Sequence, residues 1–322
     1  PKGVSPMVVL NKTALKVVDE LVSRLDEVKV AELSVAGARV FDCGVNVEGS
    51  FEAGVYVSRI CLAGLASISL STIELSNIVL PQVNVYTDYP VESCMLSQYA
   101  GWKISVGDYT AMGSGPARAL ARKPKKLYEE VGFVEESDEA VLALEAPKLP
   151  TEDAVKFIAQ ACSVKPSNLT LLAFSTNSMA GSVQISARIV ETGIHKLHSL
   201  GFPLKAVKRG VGSCPIAPPH PDPSVMMGRA NDMLLLAGKV YLAVEYHDLE
   251  KLREHVEKTP SSSSRQYGKP FYEIYKEAGC DFYKIDPNLF APALITVFEL
   301  STGIGFKAGH VDAELLKKSL GL

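Results

Sequence analysis

Five polar side chains recur at alternating spacings of four and three between residues 184 and 198: Gln184, Arg188, Glu191, His195 and His198. On a helix at about 100° per residue they fall within an arc of roughly 80°. Val183, Ala187, Val190, Ile194 and Leu197 form an apolar stripe beside them, and Ile185 and Ile189 add apolar surface on the other flank. A wet helical face is usually Lys and Glu with short polar residues. An amide, a guanidinium, a carboxylate and two imidazoles between apolar flanks have, at least as much, the composition of a site wall. Arg188 and Glu191, three apart, share a face and can pair. At a surface or interface that is an ordinary ion pair of small energetic weight. In a site, burial raises the carboxylate's proton affinity and the guanidinium lowers it, so the pair can be set for proton transfer. Glu191, His195 and His198 also read as metal ligands, although the spacing is not H-E-x-x-H and His220, His247, His255 and His310 add no clear partner spacing.

Other segments offer less. Gly113-Ser114-Gly115-Pro116 makes a tight turn with proline at a helix start, and a helix N-terminus can hold an anion. Neither Walker A nor G-x-G-x-x-G is complete there, Ser114 lacks the nucleophile-elbow pattern, and the pattern alone favours a structural turn over an anion site. Arg118, Arg122, Lys123, Lys125 and Lys126 follow as a short basic cluster, which is either a solvated face or an attractor for a ligand's anionic tail. Tyr267–Tyr272 and Asp281–Phe290 mix aromatic and charged residues, as core packing does and as a wall for a flat ring would.

These residues need a scaffold. The 322 residues suffice for two domains, and 47% apolar with 21% charged content describes a packed chain rather than a disordered one. The net charge of −3 offers no bulk positive field, so neither nucleic acid nor an anionic membrane is an expected partner. Six cysteines without a C-x-x-C pair read as buried free thiols in a reducing cytosol. No signal-peptide pattern and no apolar run long enough to span a bilayer is seen; residues ahead of Met7 are set aside. Helical spacing predicts helices over 11–26, 51–65, 153–161, 247–257, 270–278 and 313–320, with Asn11 or Thr13 capping the first. Strand composition marks 39–47, 66–72, 78–86, 140–144, 169–174, 233–245, 282–285 and 293–298. Pro81 points to an edge or interrupted strand, Gly54 and Gly64 to close backbone packing, and the Gly/Pro-rich stretch 210–223 to a loop or site rim. Strands and helices do not alternate regularly, which favours α+β over a doubly wound parallel sheet. The expected division is 1–145 and 146–322, with a soft boundary that the chain crosses more than once.

Several segments together resemble one family. They are Asp42-Cys-Gly-Val-Asn-Val47 with Gly49-Ser50 and Glu52-Ala-Gly54, Ala111–Leu120, Gly181–Glu191, Tyr267–Glu273 and Asp281–Ala293. In this order they resemble the methenyltetrahydromethanopterin cyclohydrolases, over nearly the whole chain. The resemblance implies a cytoplasmic homotrimeric enzyme of one-carbon metabolism, in methanogenesis or formaldehyde oxidation. Its reaction would be the reversible hydrolysis of an N5,N10-methenyl pterin cation to the N5-formyl pterin, without metal or other cofactor. It also implies two α/β-layered domains with the substrate in the cleft between them. The family's catalytic pair maps onto Arg188 and Glu191, and substrate contacts are expected from Gln98, Tyr99, Ser114, Gly115, Gln184 and Lys269. Some members carry Lys where this chain has Tyr99, which keeps a polar tip and loses the fixed charge; Lys103 stands nearby. His195 and His198 become helix-face residues on this reading. Two alternatives remain at this point: a non-catalytic pterin carrier, and a metal-dependent hydrolase of another cyclic amidine.

Overall fold

A computed structural model describes residues 8–322; the residues ahead of Met7, set aside above, lie outside the described residues. Its strands are β1 (Ala31–Val35), β2 (Ala38–Asp42), β3 (Ser67–Leu75), β4 (Ile78–Thr87), β5 (Trp102–Val106), β6 (Tyr109–Ser114), β7 (Ala140–Glu145), β8 (Leu169–Phe174), β9 (Val207–Pro215), β10 (Lys239–Val244), β11 (Leu294–Glu299) and β12 (Gly305–Gly309). They form two six-stranded sheets, ordered β1-β2-β8-β7-β6-β5 and β12-β11-β10-β9-β4-β3. Both are mixed: β8 runs parallel to β2 and β7, and β10 runs parallel to β11, while the other pairs are antiparallel. The α+β class expected from the sequence is the class that forms.

Sheet membership does not follow chain order. The β3–β4 hairpin, from the first third of the chain, pairs through β4 with β9 in the second sheet. A cut between Glu145 and Ala146 passes between β7 and its parallel neighbour β8. The first sheet is covered on both faces. Helices Leu10–Val22 and Phe51–Cys61 pack on one side with Phe41 and Leu172, and helix Glu152–Cys162 packs on the other with Trp102 and Leu142. This double cover explains why β7 and β8 read as continuous apolar runs rather than alternating ones. The second sheet buries one face under helices Ile189–Ser199 and Pro223–Asp232. Its other face carries exposed Tyr86, Tyr241 and Phe298.

Several expectations change for local reasons. Pro81 does not make β4 an edge strand: β4 lies between β9 and β3, and at Pro81 the carbonyl still accepts from Ile216 N–H at 2.7 Å just beyond the end of β9. The stretch 210–223 divides: Gly210 to Pro215 continue β9, and 216–222 are the irregular connection to the helix Pro223–Asp232. A Cβ on Gly210 would sit 2.6 Å from Val190 Cγ1, and one on Gly212 would sit 2.7 Å from Ile189 Cγ2. These glycines let the Ile189–Ser199 helix lie directly on the sheet. Gly54 does the same for two helices, with its hypothetical Cβ 2.5 Å from Val183 Cβ. Asn11 is not a cap; the Glu135 carboxylate reaches across to accept the N–H groups of Leu10 and Asn11 at the helix start. Residues 233–237 form a π-turn before β10, and 282–284 form a 3₁₀ turn rather than a strand. Among the described residues, no helix is long and apolar enough to cross a membrane.

Candidate active site

The polar stripe is carried by two helices instead of one. Met179–Ser186 ends, Ala187 and Arg188 turn, and Ile189–Ser199 begins. Gln98 captures the carbonyl released at the joint, donating from Nε2 to Ala187 O at 3.1 Å. Gln184 and Arg188 stay one turn apart across the joint: Gln184 Oε1 accepts from Arg188 Nε at 3.1 Å and from Nη2 at 2.9 Å. Arg188 Nη1 donates to Gln98 O at 2.9 Å. The expected contact pair of Arg188 with Glu191 is therefore not made; the guanidinium's donors go to an amide and a carbonyl, and its effect on Glu191 is through its charge.

Helix Val91–Gln98 explains this arrangement. It is π-wound, with Tyr99 N–H bonding Cys94 O five residues back. Its last carbonyls need outside partners. Arg118 Nη1 serves Met95 O at 3.2 Å and Ser97 O at 2.9 Å. Tyr128 Oη donates to Leu96 O at 2.7 Å, and Gly115 N–H to Ser97 O at 2.9 Å. Ser114 Oγ joins Arg188 on Gln98 O. Ser114 and Gly115 are thus buried, with their hydrogen bonds directed to this helix end, and neither is among the residues lining the cleft described below. Arg118 likewise leaves the basic cluster. It is wholly buried, whereas Arg122, Lys123, Lys125 and Lys126 are exposed. Its guanidinium lies 5.2 Å from the Tyr99 ring centroid and 5.9 Å from that of Tyr128.

Glu191 sits among these cations, 7% exposed. Burial pushes its carboxyl above the usual carboxylate range, and His195, Arg188 and Arg118 pull it partly back. His195 stacks on the ring of Tyr99: the two ring centroids are 4.9 Å apart, with the planes 23° apart. His198 goes elsewhere, pairing with Glu130 at 2.8 Å. Glu191, His195 and His198 do not converge as a ligand set, and among the described residues no three His, Cys, Asp or Glu side chains do.

Next to this centre lies a cleft of about 710 Å³. Its lining combines polar Tyr99, Glu145, Thr176, Arg188, Thr192 and Asn231 with apolar side chains that include Met227, Leu234, Leu235, Phe282 and Phe290. The Asp281–Phe290 segment earns its composition here. Phe282 and Phe290 stack at 5.9 Å, while Asn288 is anchored by buried Lys196 and Asp286 by Ser264. Lys269 is not among the lining residues; it is exposed and paired with Glu277 at 2.6 Å. The sequence reading missed Glu145. It ends β7 and accepts from Thr176 Oγ1 at 2.6 Å and Gln184 Nε2 at 3.3 Å, so that Thr176, Glu145, Gln184 and Arg188 form one hydrogen-bonded row. A somewhat larger cavity of about 790 Å³, on the open side of the second sheet, contains none of the expected site residues.

Comparison with known proteins now bears on this cleft. The family model Cyclohydrolase (MCH) matches residues 9–320. This chain belongs to that family. It is 48% identical over 317 residues to the methenyltetrahydromethanopterin cyclohydrolase of Methanococcoides burtonii, covering 98% of this chain and 99% of that one. Identity is 47% over 320 residues to the protein of that name from Methanothermobacter marburgensis, covering 98% and 100%. With the one from Methanocaldococcus jannaschii it is 46% over 319 residues, covering 98% and 99%.

Proposed function

We propose that this protein is a methenyltetrahydromethanopterin cyclohydrolase that opens the N5,N10-methenyl bridge in this cleft, with Glu191 as general base. The observation that carries the assignment of Glu191 is its combination of near-complete burial with three surrounding cationic or titratable groups, at a position just behind the cleft lining, between the lining residues Arg188 and Thr192 in sequence. The methenyl carbon lies between two nitrogens that share one positive charge, so it is electrophilic without further activation. Water adds to it, the new C–O bond forms, and one water proton passes to Glu191. The resulting carbinolamine is neutral. Glu191 returns that proton to N10, the C–N10 bond breaks, and the hydroxyl proton leaves as the formyl C=O forms on N5. The net change is cation plus water to formyl pterin plus one proton. A carboxyl held above its usual range accepts and returns a proton near neutrality better than an exposed one. Arg188, fixed by Gln184 and Gln98, keeps enough of Glu191 ionised to begin the cycle.

Glu191→Gln should lower kcat by about 10²- to 10⁴-fold, read as the decay of methenyl-pterin absorbance. A kcat near wild type removes Glu191 from the mechanism. Because burial raises its pKa in the fold, ionising Glu191 costs stability as pH rises. The Gln variant should therefore be at least as stable as wild type at pH 7, with the difference closing in acid where both side chains are neutral.

We also propose a homotrimer. Tyr86, Val211 and Tyr241 align in one row across β4, β9 and β10, and Tyr241 lies 5.9 Å from Phe298 on the same open sheet face. Exposed aromatic surface of this kind suits contact between subunits. Light scattering during size exclusion should give three times the chain mass; a monomer mass defeats the assignment. The five buried free thiols support a reducing cytosolic setting.

A further inference from the structure

The cleft wall contains a carboxylate that the proton transfers above do not use. Of the side chains lining the cleft, Glu145 is the one acid and Arg188 the one base among the described residues. Glu145 is held by two neutral donors, Thr176 Oγ1 on Oε1 and Gln184 Nε2 on Oε2. An ionised carboxylate has about four acceptor sites, so each oxygen keeps capacity for a further donor. None of the ion pairs within 4.0 Å among the described residues includes it. The carboxylate is also fixed in place, because it ends β7 with Met112 of β6 and Phe174 of β8 as its register partners. A half-buried, oriented acid without a counter-ion is a receptor for two parallel N–H groups.

A pterin presents such a pair. Its pyrimidine ring carries a 2-amino group beside N3–H, two donors in one plane pointing the same way. The methenyl bridge lies at the opposite end of the fused rings, so a group that holds the pyrimidine edge is separate from the one that activates water. We propose that Glu145 accepts the 2-amino and N3–H edge of the substrate's pterin ring and thereby sets its orientation in the cleft. The ring's faces then meet the aromatic and aliphatic wall formed by Phe282, Phe290 and Leu234. The Glu145–Gln184–Arg188 row couples that docking to the guanidinium beside Glu191.

This inference rests on the pterin reading of the cleft, and the test separates the two. Calorimetry with the intact protein compares the N5-formyl pterin with its 2-oxo analogue, in which an acceptor replaces the amino donor. Wild type should prefer the 2-amino form by about a hundredfold, the value expected for hydrogen bonds to a charged group. In Glu145→Gln, whose amide offers one donor and one acceptor, the preference should fall to within about tenfold. Steady-state rates should show the loss mainly in KM, with kcat changed less than about tenfold. Equal wild-type affinities for the two forms, or a preference that survives in Glu145→Gln, overturns the proposal. So does a collapse of kcat with discrimination intact, which would assign Glu145 to the chemistry. If Glu145→Gln fails to fold, Glu145→Asp decides: a weakened preference supports edge recognition and an unchanged one defeats it. Failure of the pterin reading itself would appear differently, as wild type binding neither form.

Discussion

Arg188 and Arg118 reach the end of the same π-wound helix from different sides, and the fold treats them differently. Arg188 lies in the cleft wall with its donors committed to Gln184 and Gln98. Arg118 lies behind Tyr99, wholly buried, with one nitrogen on two carbonyls and with Nε and Nη2 unpartnered between two aromatic rings. Both pull the Glu191 carboxyl downward against burial. The first is an oriented charge at the site. The second is a charge built into the scaffold, whose removal also strips a helix end of its cap. The difference teaches that two cations with one electrostatic effect can be told apart by what else depends on them.

Arg118→Met should produce the larger effect. Met95 O loses its side-chain partner, and an unpaired buried carbonyl costs about 1–3 kcal/mol; the two ring contacts add about 0.5–1 kcal/mol each. Relief of the buried charge offsets part of this. A net loss of about 2–3 kcal/mol is expected, measured by urea unfolding. Removing the positive charge also lets the Glu191 pKa rise further. Activity requires the ionised base, so the acid limb of the kcat–pH profile should move to higher pH. Arg118→Lys should restore the limb more than the stability, since it returns a charge without the planar fork. A variant as stable as wild type would break the comparison at its structural side.

What could be read in the sequence follows the same division between local and distant causes. β8 was legible because a strand buried on both faces is a continuous apolar run, and 169–174 is one. Arg188 and Glu191 were legible from helical spacing even though the helix is broken between Gln184 and Arg188, because one turn of irregularity leaves residues four apart as neighbours. Arg118 was misplaced in the basic cluster because a five-residue helix is too short for periodicity to separate a buried cation from its exposed neighbours. Gly210 and Gly212 suggested a loop, since nothing in a linear chain shows that Val190 and Ile189 fill the missing side chains. Glu145 left no signal: it is one acid at the end of an apolar strand, and it becomes a site residue only because β7 ends beside Thr176 and Gln184. The interleaving of the two sheets was equally invisible, since it depends on β4 finding β9 more than a hundred residues away.

Arg188→Gln should have the smaller and more local effect. The side chain is part of the cleft wall, and Gln98 O keeps Ser114 Oγ as a donor when Nη1 is removed. Stability should therefore change by no more than about 1 kcal/mol. Loss of the charge raises the Glu191 pKa in the same direction as in Arg118→Met, so the acid limb again moves up. Here kcat at the optimum should also fall, by about tenfold, because Glu191 and the reacting water lose an oriented neighbour; that is about 1.4 kcal/mol of barrier. Arg188→Lys keeps the charge but cannot hold Gln184 and Gln98 together. It should leave the limb near its wild-type position and lower kcat all the same. If both Arg188 variants move the limb equally, orientation rather than charge sets the base. If neither moves it, Arg118 alone supplies the electrostatic tuning, and the two arginines divide their work more completely than their shared helix end suggests.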